Sequence, residues 1–231
     1  LPGTYSVAET LPAGWTLTSA ICSDGSDPAA IQLDPGETVT VLFTNTLNRG
    51  QITVEKQTDP DGSTQSFAFT PSYGSPFSLT DGQTNNSGPL LPGTYSVSET
   101  LPAGWTLTSA DCSDGSDPAS IQLDPGETVT VVFTNTLNRG TIIVEKQTDP
   151  DGSTQSFAFT PSYGSPFSLT DGQTNNSGPL LPGTYSVSEV VPAGWTLTSA
   201  VCSDGSDPAA IQLDPGETVT VVFSNSLNRG T

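Results

Sequence analysis

Apolar and polar residues alternate in short runs along this chain, and no stretch carries a helical period. Ile52, Val54 and Lys56 fall on one face of an extended segment, with Thr53 and Glu55 on the other. Within residues 51–140 the same rule predicts seven strands: 51–57, 65–70, 76–80, 93–100, 105–111, 119–123 and 127–136. Asp59-Pro60-Asp61-Gly62, Pro102-Ala103-Gly104, Asp114-Gly115-Ser116-Asp117-Pro118 and Asp124-Pro125-Gly126 read as turns between them, and residues 81–88 as a polar loop. Seven short strands in about 90 residues point to an all-β, antiparallel Greek-key sandwich of the immunoglobulin-like or prealbumin-like kind.

The pattern repeats. Leu-Pro-Gly-Thr-Tyr-Ser-Val begins at Leu1, Leu91 and Leu181, a period of 90. Residues 51–140 and 141–230 differ at eight positions: 51, 53, 100, 101, 111, 120, 134 and 136 against their partners 90 later. Residues 1–50 match the second part of the unit. The expected organisation is the C-terminal part of one repeat (1–50), a complete repeat (51–140) and a second complete repeat (141–231). A 90-residue period suits a small autonomous domain rather than a solenoid coil. The link between copies is about three residues, short enough to couple neighbours tightly.

Three strands end an apolar stripe on a polar residue. Lys56 follows Ile52 and Val54. Glu99 follows Tyr95 and Val97. Asn135 follows Val129, Val131 and Phe133, opposite the solvent-facing Thr130, Val132, Thr134 and Thr136. The next copy repeats the set as Lys146, Glu189 and Asn225, and the partial copy keeps Glu9 and Asn45. Lys56 and Lys146 are the only lysines in the chain. A buried lysine is costly unless it is paired or neutralised. An amine, a carboxyl and a carboxamide on core faces are the parts of an intramolecular isopeptide bond. Burial favours a neutral amine as nucleophile and a protonated glutamic acid as proton carrier, here expected to polarise the asparagine carbonyl oxygen. The bland alternative is an unreacted buried Lys–Glu pair with asparagine hydrogen-bonded to it.

Tyr95-Ser96-Val97-Ser98-Glu99-Thr100, followed by Pro102-Ala103-Gly104-Trp105, resembles the E-box of the CnaB-type (SpaA-like, prealbumin-like) domains of bacterial surface proteins and pilins. The resemblance implies that the first-strand lysine bonds to the last-strand asparagine with the E-box acid assisting, which assigns Lys56, Glu99 and Asn135, and Lys146, Glu189 and Asn225. It departs at Trp105, where tyrosine is more usual. Relatives often pair a cysteine near Cys112 with one on the last strand, and Val131 stands at that second place. Both lysines being assigned, no pilin-type linkage lysine is left in this stretch.

Composition narrows the partners. Twenty-four acidic against five basic residues give a net charge of −19, which argues against nucleic acid or an anionic membrane as partner. No apolar run of about 20 residues exists to span a bilayer, and no signal peptide is visible. Cys22, Cys112 and Cys202, one per copy, exclude an intradomain disulfide. They read as half-buried thiols, with an interchain or inter-repeat disulfide, or metal binding or reactive chemistry, as alternatives. The Asp-rich turns at 59–62 and 114–117 offer oxygens of the type Ca²⁺ takes, but neither completes an EF-hand loop, so calcium stays a weak alternative. No cofactor is expected. Asn85-Asn86-Ser87 and Asn175-Asn176-Ser177 each hold an N-x-S sequon. Trp15, Trp105 and Trp195 read as core or inter-repeat packing rather than a sugar platform.

The expectation is therefore a structural cell-surface stalk or extracellular filament of tandem domains locked by Lys–Asn bonds. Its partners are neighbouring copies of the repeat and other chains of a filament. The alternative is an adhesin recognising a host, sugar or surface ligand. With no histidine and no glycine-rich phosphate loop, the only chemistry expected is single-turnover self-crosslinking, not enzymatic turnover.

Overall fold

A computed structural model describes residues 1–229; Gly230 and Thr231, which end the third expected segment, lie outside the described residues. The described chain is all strand, turn and loop, without a helix. It divides into two compact units, Leu1–Leu101 with Leu107–Asn135, and Pro102–Thr106 with the chain from Thr136 on. The cut does not follow the period of 90: the Pro-Ala-Gly turn of residues 102–104 groups with the copy that follows it.

In the second unit a four-stranded sheet runs in the order Thr174–Asn176, Thr141–Asp149, Thr218–Leu227, Trp195–Cys202. A three-stranded sheet of Phe167–Leu169, Phe157–Pro161 and Val187–Val190 faces the same core, and Gly183–Tyr185 pairs with Ile211–Leu213. The core between them holds Ile142, Val144, Phe157, Phe159, Val219, Val221 and Phe223, none more than 3% exposed. Phe159 stacks on Phe167 and meets the edge of Phe223 at 5.2 Å between centroids, the offset and edge geometries aromatic rings prefer. The strand order of residues 51–140 is the same.

The alternation rule places the faces correctly. Ile52, Val54, Lys56, Val129, Val131, Phe133 and Asn135 are all buried. Three expectations are corrected. The strand expected over 93–100 is two strands, Gly93–Tyr95 and Val97–Thr100. At Ser96 the chain changes partners. Ser96 exchanges bonds with Ser72 (N–H to Oγ, 2.8 Å; carbonyl from the Ser72 N–H, 2.8 Å). The first piece pairs with Ile121–Leu123 and the second with Phe67–Pro71. The polar loop at 81–88 contains a strand, Thr84–Asn86, on the edge of the larger sheet opposite Thr53–Glu55. Its side chains carry no apolar signal; Asn86 holds register by donating to Thr53 Oγ1 at 3.0 Å. Lastly, the sandwich is not antiparallel throughout. Thr141–Asp149 and Thr218–Leu227, the first and last strands of the copy, pair in parallel, with Lys146 opposite Phe223 and Thr148 opposite Asn225.

Candidate functional site

That parallel register decides the geometry. Lys146 and Asn225 lie on the same face of adjacent strands, and the asparagine sits two residues beyond the one directly opposite the lysine. The long lysine side chain covers that offset. Its Nζ donates to Asn225 Oδ1 at 2.8 Å and to the carbonyls of Gln147 and Phe223 at 2.7 and 3.1 Å. In the copy before it, Lys56 Nζ donates to Asn135 Oδ1 at 2.9 Å, to the Gln57 carbonyl at 2.6 Å and to the Phe133 carbonyl at 3.2 Å.

The acid arrives from the opposite sheet. Val97–Thr100 pairs with Phe67–Pro71 so that Glu99 lies across from Phe69 and points between the sheets. Glu99 Oε2 accepts a bond from Asn135 Nδ2 at 2.9 Å, and Glu99 Oε1 lies 3.8 Å from Lys56 Nζ. Glu189 repeats this with Asn225 Nδ2 at 2.9 Å and Lys146 Nζ at 3.6 Å. The lysines and Asn135 are wholly buried, and the glutamate side chains are at most 1% exposed. Oε1 of each glutamate is buried without a hydrogen-bond partner among the described residues. The floor is aromatic: the Phe67 and Phe157 rings lie 4.2 Å under the two amines.

Burial governs the charges. Loss of water pushes the Lys56 amine below its ordinary range, with the Glu99 carboxylate and then Asp81 opposing the shift. Burial likewise pushes the Glu99 carboxyl above its ordinary range, against the Asn135 bond and the lysine charge. Lys146 moves down for the same reason as Lys56. The shifts favour neutral partners: an amine that keeps a lone pair and has two N–H groups to share among the three oxygens around it, and a carboxylic acid with a proton to give.

The structure thus brings together each expected trio. One detail differs. The glutamate faces the amide nitrogen, while the amine faces the carbonyl oxygen. The acid is placed at the group that would leave, not at the oxygen it was expected to polarise. In the partial copy, Asn45 Nδ2 donates to Glu9 Oε1 at 2.6 Å, and Asn45 Oδ1 is buried without a hydrogen-bond partner among the described residues.

Two supporting groups were not singled out from sequence. Asp81 accepts from the backbone N–H of Thr58 at 2.6 Å and of Gly62 at 2.8 Å, tying the loop after residue 80 to the end of the lysine strand. Asp171 does so for Thr148 and Gly152. Asp-Gly at a turn was the available signal, but it does not name its partner. The other group is the Phe67 ring, legible as core but not as the surface beneath the amine.

The remaining candidates resolve simply. The three cysteines are free, and Cys202 lies directly opposite Val221, the counterpart of Val131. Burial raises the Cys112 and Cys202 thiols, away from thiolate reactivity. Asp114 and Asp117 spend oxygens on the N–H groups of Ser116 and Ala119. No group of three acidic or thiol side chains suited to a metal occurs among the described residues. Trp105 is buried, Trp195 half-buried and Trp15 exposed. A cleft of about 640 Å³ beside Glu189 is lined by Val187, Leu197, Val201, Cys202, Asp207 and Phe223, among others.

Among solved structures, the Bacillus anthracis TIE protein matches over 95% of this chain and 50% of its own, at 16% identity and a TM-score of 0.54. This chain therefore spans about half the length of that structure. The major pilin protein (T-13) of Streptococcus pyogenes matches over 95% of this chain and 100% of its own at 13% identity, TM-score 0.40. A C-terminal fragment of the pilus adhesin SpaC of Lactobacillus rhamnosus GG matches over 80% and 99% at 17% identity, TM-score 0.43. The likeness to the TIE protein, at that identity, is one of fold. No curated protein matches the chain. The family model described as the prealbumin-like fold domain matches twice, over residues 52–143 and 142–230, and the chain belongs to that family.

Proposed function

We propose that this chain is part of a structural cell-surface stalk or extracellular filament whose domains each lock themselves with one Lys–Asn isopeptide bond. The observation that carries the reading is the buried Lys56 amine 2.9 Å from the Asn135 amide, with Glu99 on the leaving nitrogen. The neutral Lys56 amine attacks Asn135 Cγ. Its surplus proton passes through Glu99 to Nδ2, the Cγ–Nδ2 bond breaks, and ammonia departs. Atoms balance as amine plus carboxamide giving secondary amide plus ammonia, and Glu99 ends as it began. Each site reacts once, so the domain is its own only substrate and acts on no other. Lys146, Glu189 and Asn225 do the same in the next copy.

The bond joins the first strand to the last, across 79 positions. Tension entering at residue 51 runs along the lysine strand, crosses the amide and leaves through Asn135, bypassing everything between. Proteolysis followed by mass spectrometry tests this: a branched peptide containing both Lys56 and Asn135 is expected, and only linear peptides covering both residues would refute it.

One observation favours a second reading, a binding module. The position that differs most in character between copies, Ile21, Asp111 and Val201, lines clefts in the first and third copies. A ligand recognised there would be lost on Val201→Asp while the isopeptide bond still formed.

A further inference from the structure

The turns at the repeat junctions fit one another. In the first unit, a Cβ built on Gly14 would lie 2.5 and 2.6 Å from Pro125 Cβ and Cγ. In the second unit, a Cβ on Gly104 would lie 2.7 and 2.8 Å from the same atoms of Pro215. Both pairs join the Pro-Ala-Gly turn of one copy to the Asp-Pro-Gly turn of the next. Around them the link is fixed by backbone bonds. The Gln51 N–H donates to the Glu127 carbonyl at 2.9 Å, and the Thr141 N–H to the Glu217 carbonyl at 2.8 Å. Gly50 and Gly140 are buried, with no room for a Cβ beside Leu123 and Leu213.

Each half keeps its shape where no partner turn lies against it among the described residues. The third copy carries the same Pro192-Ala193-Gly194 turn, with nothing within 4 Å of a Cβ on Gly194 among the described residues. Its shape is unchanged: φ is +84° at Gly194 against +83° and +81° at Gly14 and Gly104. The Asn228 N–H donates to the Gly194 carbonyl at 2.8 Å and Asn228 Oδ1 accepts from Thr196 at 2.7 Å, as Asn48 and Asn138 do in the occupied turns. The opposite half behaves alike, with φ of +81° at the uncovered Gly36 and +78° and +76° at Gly126 and Gly216. Beside Gly194, Leu227 is 45% exposed, where Leu137 is half-buried.

We propose that each Pro-Ala-Gly turn is a docking socket for the Asp-Pro-Gly turn of the following copy of the repeat. Glycine is required for two separate reasons: its positive φ forms the turn, and its missing Cβ admits the proline. Because the turns with and without a partner have the same shape, docking costs little ordering. The inference does not depend on the isopeptide bond.

Trypsin reads the junction. Arg139 is exposed, but the Gly140 after it is buried and bonded both ways to Leu180 at 2.9 Å, so cleavage at Arg139–Gly140 requires the junction to open. In the full chain, Gly104→Val is expected to speed cleavage there about five- to tenfold, and Pro215→Gly, which removes the contacting atoms from the other side, in the same direction. Gly194→Val imposes the same backbone strain where no proline sits and is expected to leave that rate unchanged. Equal acceleration by Gly104→Val and Gly194→Val, or none with Gly104→Val or Pro215→Gly, would overturn the proposal. Ammonia loss measured on the same samples reports the isopeptide separately.

Discussion

Replacing Lys146 by methionine removes the amine but keeps most of the side chain's length and its contact with the Phe157 ring. The consequence is mechanical. The lysine strand and the asparagine strand lie side by side and parallel, so tension applied at the two ends of the copy enters one strand and leaves the other at the opposite end. With the amide in place, the 78 residues between Lys146 and Asn225 carry no load and cannot be drawn out. Without it, only hydrogen bonds and side-chain packing hold the two strands together. Once they part, those residues extend by up to about 26–28 nm, at about 3.3–3.6 Å each. Single-molecule stretching of the full chain measures this directly, and the unaltered copy at residues 51–140 serves as a standard in the same molecule. The wild type is expected to show no such step in either complete copy, and Lys146→Met one step. A step of this length from each complete copy of the wild type would refute the reasoning.

Glu99→Gln keeps the packing but removes the proton carrier, so residues 51–140 are expected to stay uncrosslinked. Closing a loop of this size is worth about 4.5 kcal/mol by the chain-entropy estimate, so calorimetry should find that copy melting about 20–35 °C lower while residues 141–229 melt unchanged. Asn135→Ala leaves Lys56 and Glu99 unreacted and exposes their linkage. The raised Glu99 pKa makes stability fall as pH rises through the ordinary carboxylate value of 4.5, and the lowered Lys56 pKa makes it fall as pH drops below 10.5. Denaturant titrations of this variant, each compared with Asn135→Ala carrying Lys56→Met and Glu99→Gln, should show a relative minimum between those limits; a maximum there would mean a stabilising ion pair instead. Asp81→Ala should cost about 1–3 kcal/mol in denaturant titration and speed hydrogen exchange at Thr58 and Gly62, since its carboxylate holds both amides. Its pKa is lowered chiefly by the Gly62 bond, so that contribution is present above pH 3.8 and is lost on further acidification.

Much of the site was legible because a strand's period of two leaves little freedom. Once Ile52 and Val54 face the core, Lys56 must as well, and the same reasoning places Asn135 behind Phe133. Glu99 was legible despite an error. The strand carrying it breaks at Ser96, but the second piece, Val97–Thr100, keeps Val97 and the Glu99 side chain inward. What sequence could not convey was pairing. Nothing in Lys146 or Asn225 announces that their strands run parallel with a two-residue offset, and that register decides that the amine meets Oδ1. Thr84–Asn86 escaped notice because an edge strand with both faces polar has no hydrophobic pattern. The Pro-Ala-Gly and Asp-Pro-Gly turns were each readable as turns, but their fit depends on shape across a repeat boundary.

The central claim is covalent, and intact mass is its most direct test. The wild-type chain should weigh less than its sequence by two ammonia molecules, one each for Lys56–Asn135 and Lys146–Asn225. Glu99→Ala should restore one and Glu99→Ala with Glu189→Ala both. A wild-type chain at its full sequence mass would contradict the account and leave each trio as a buried hydrogen-bonded cluster.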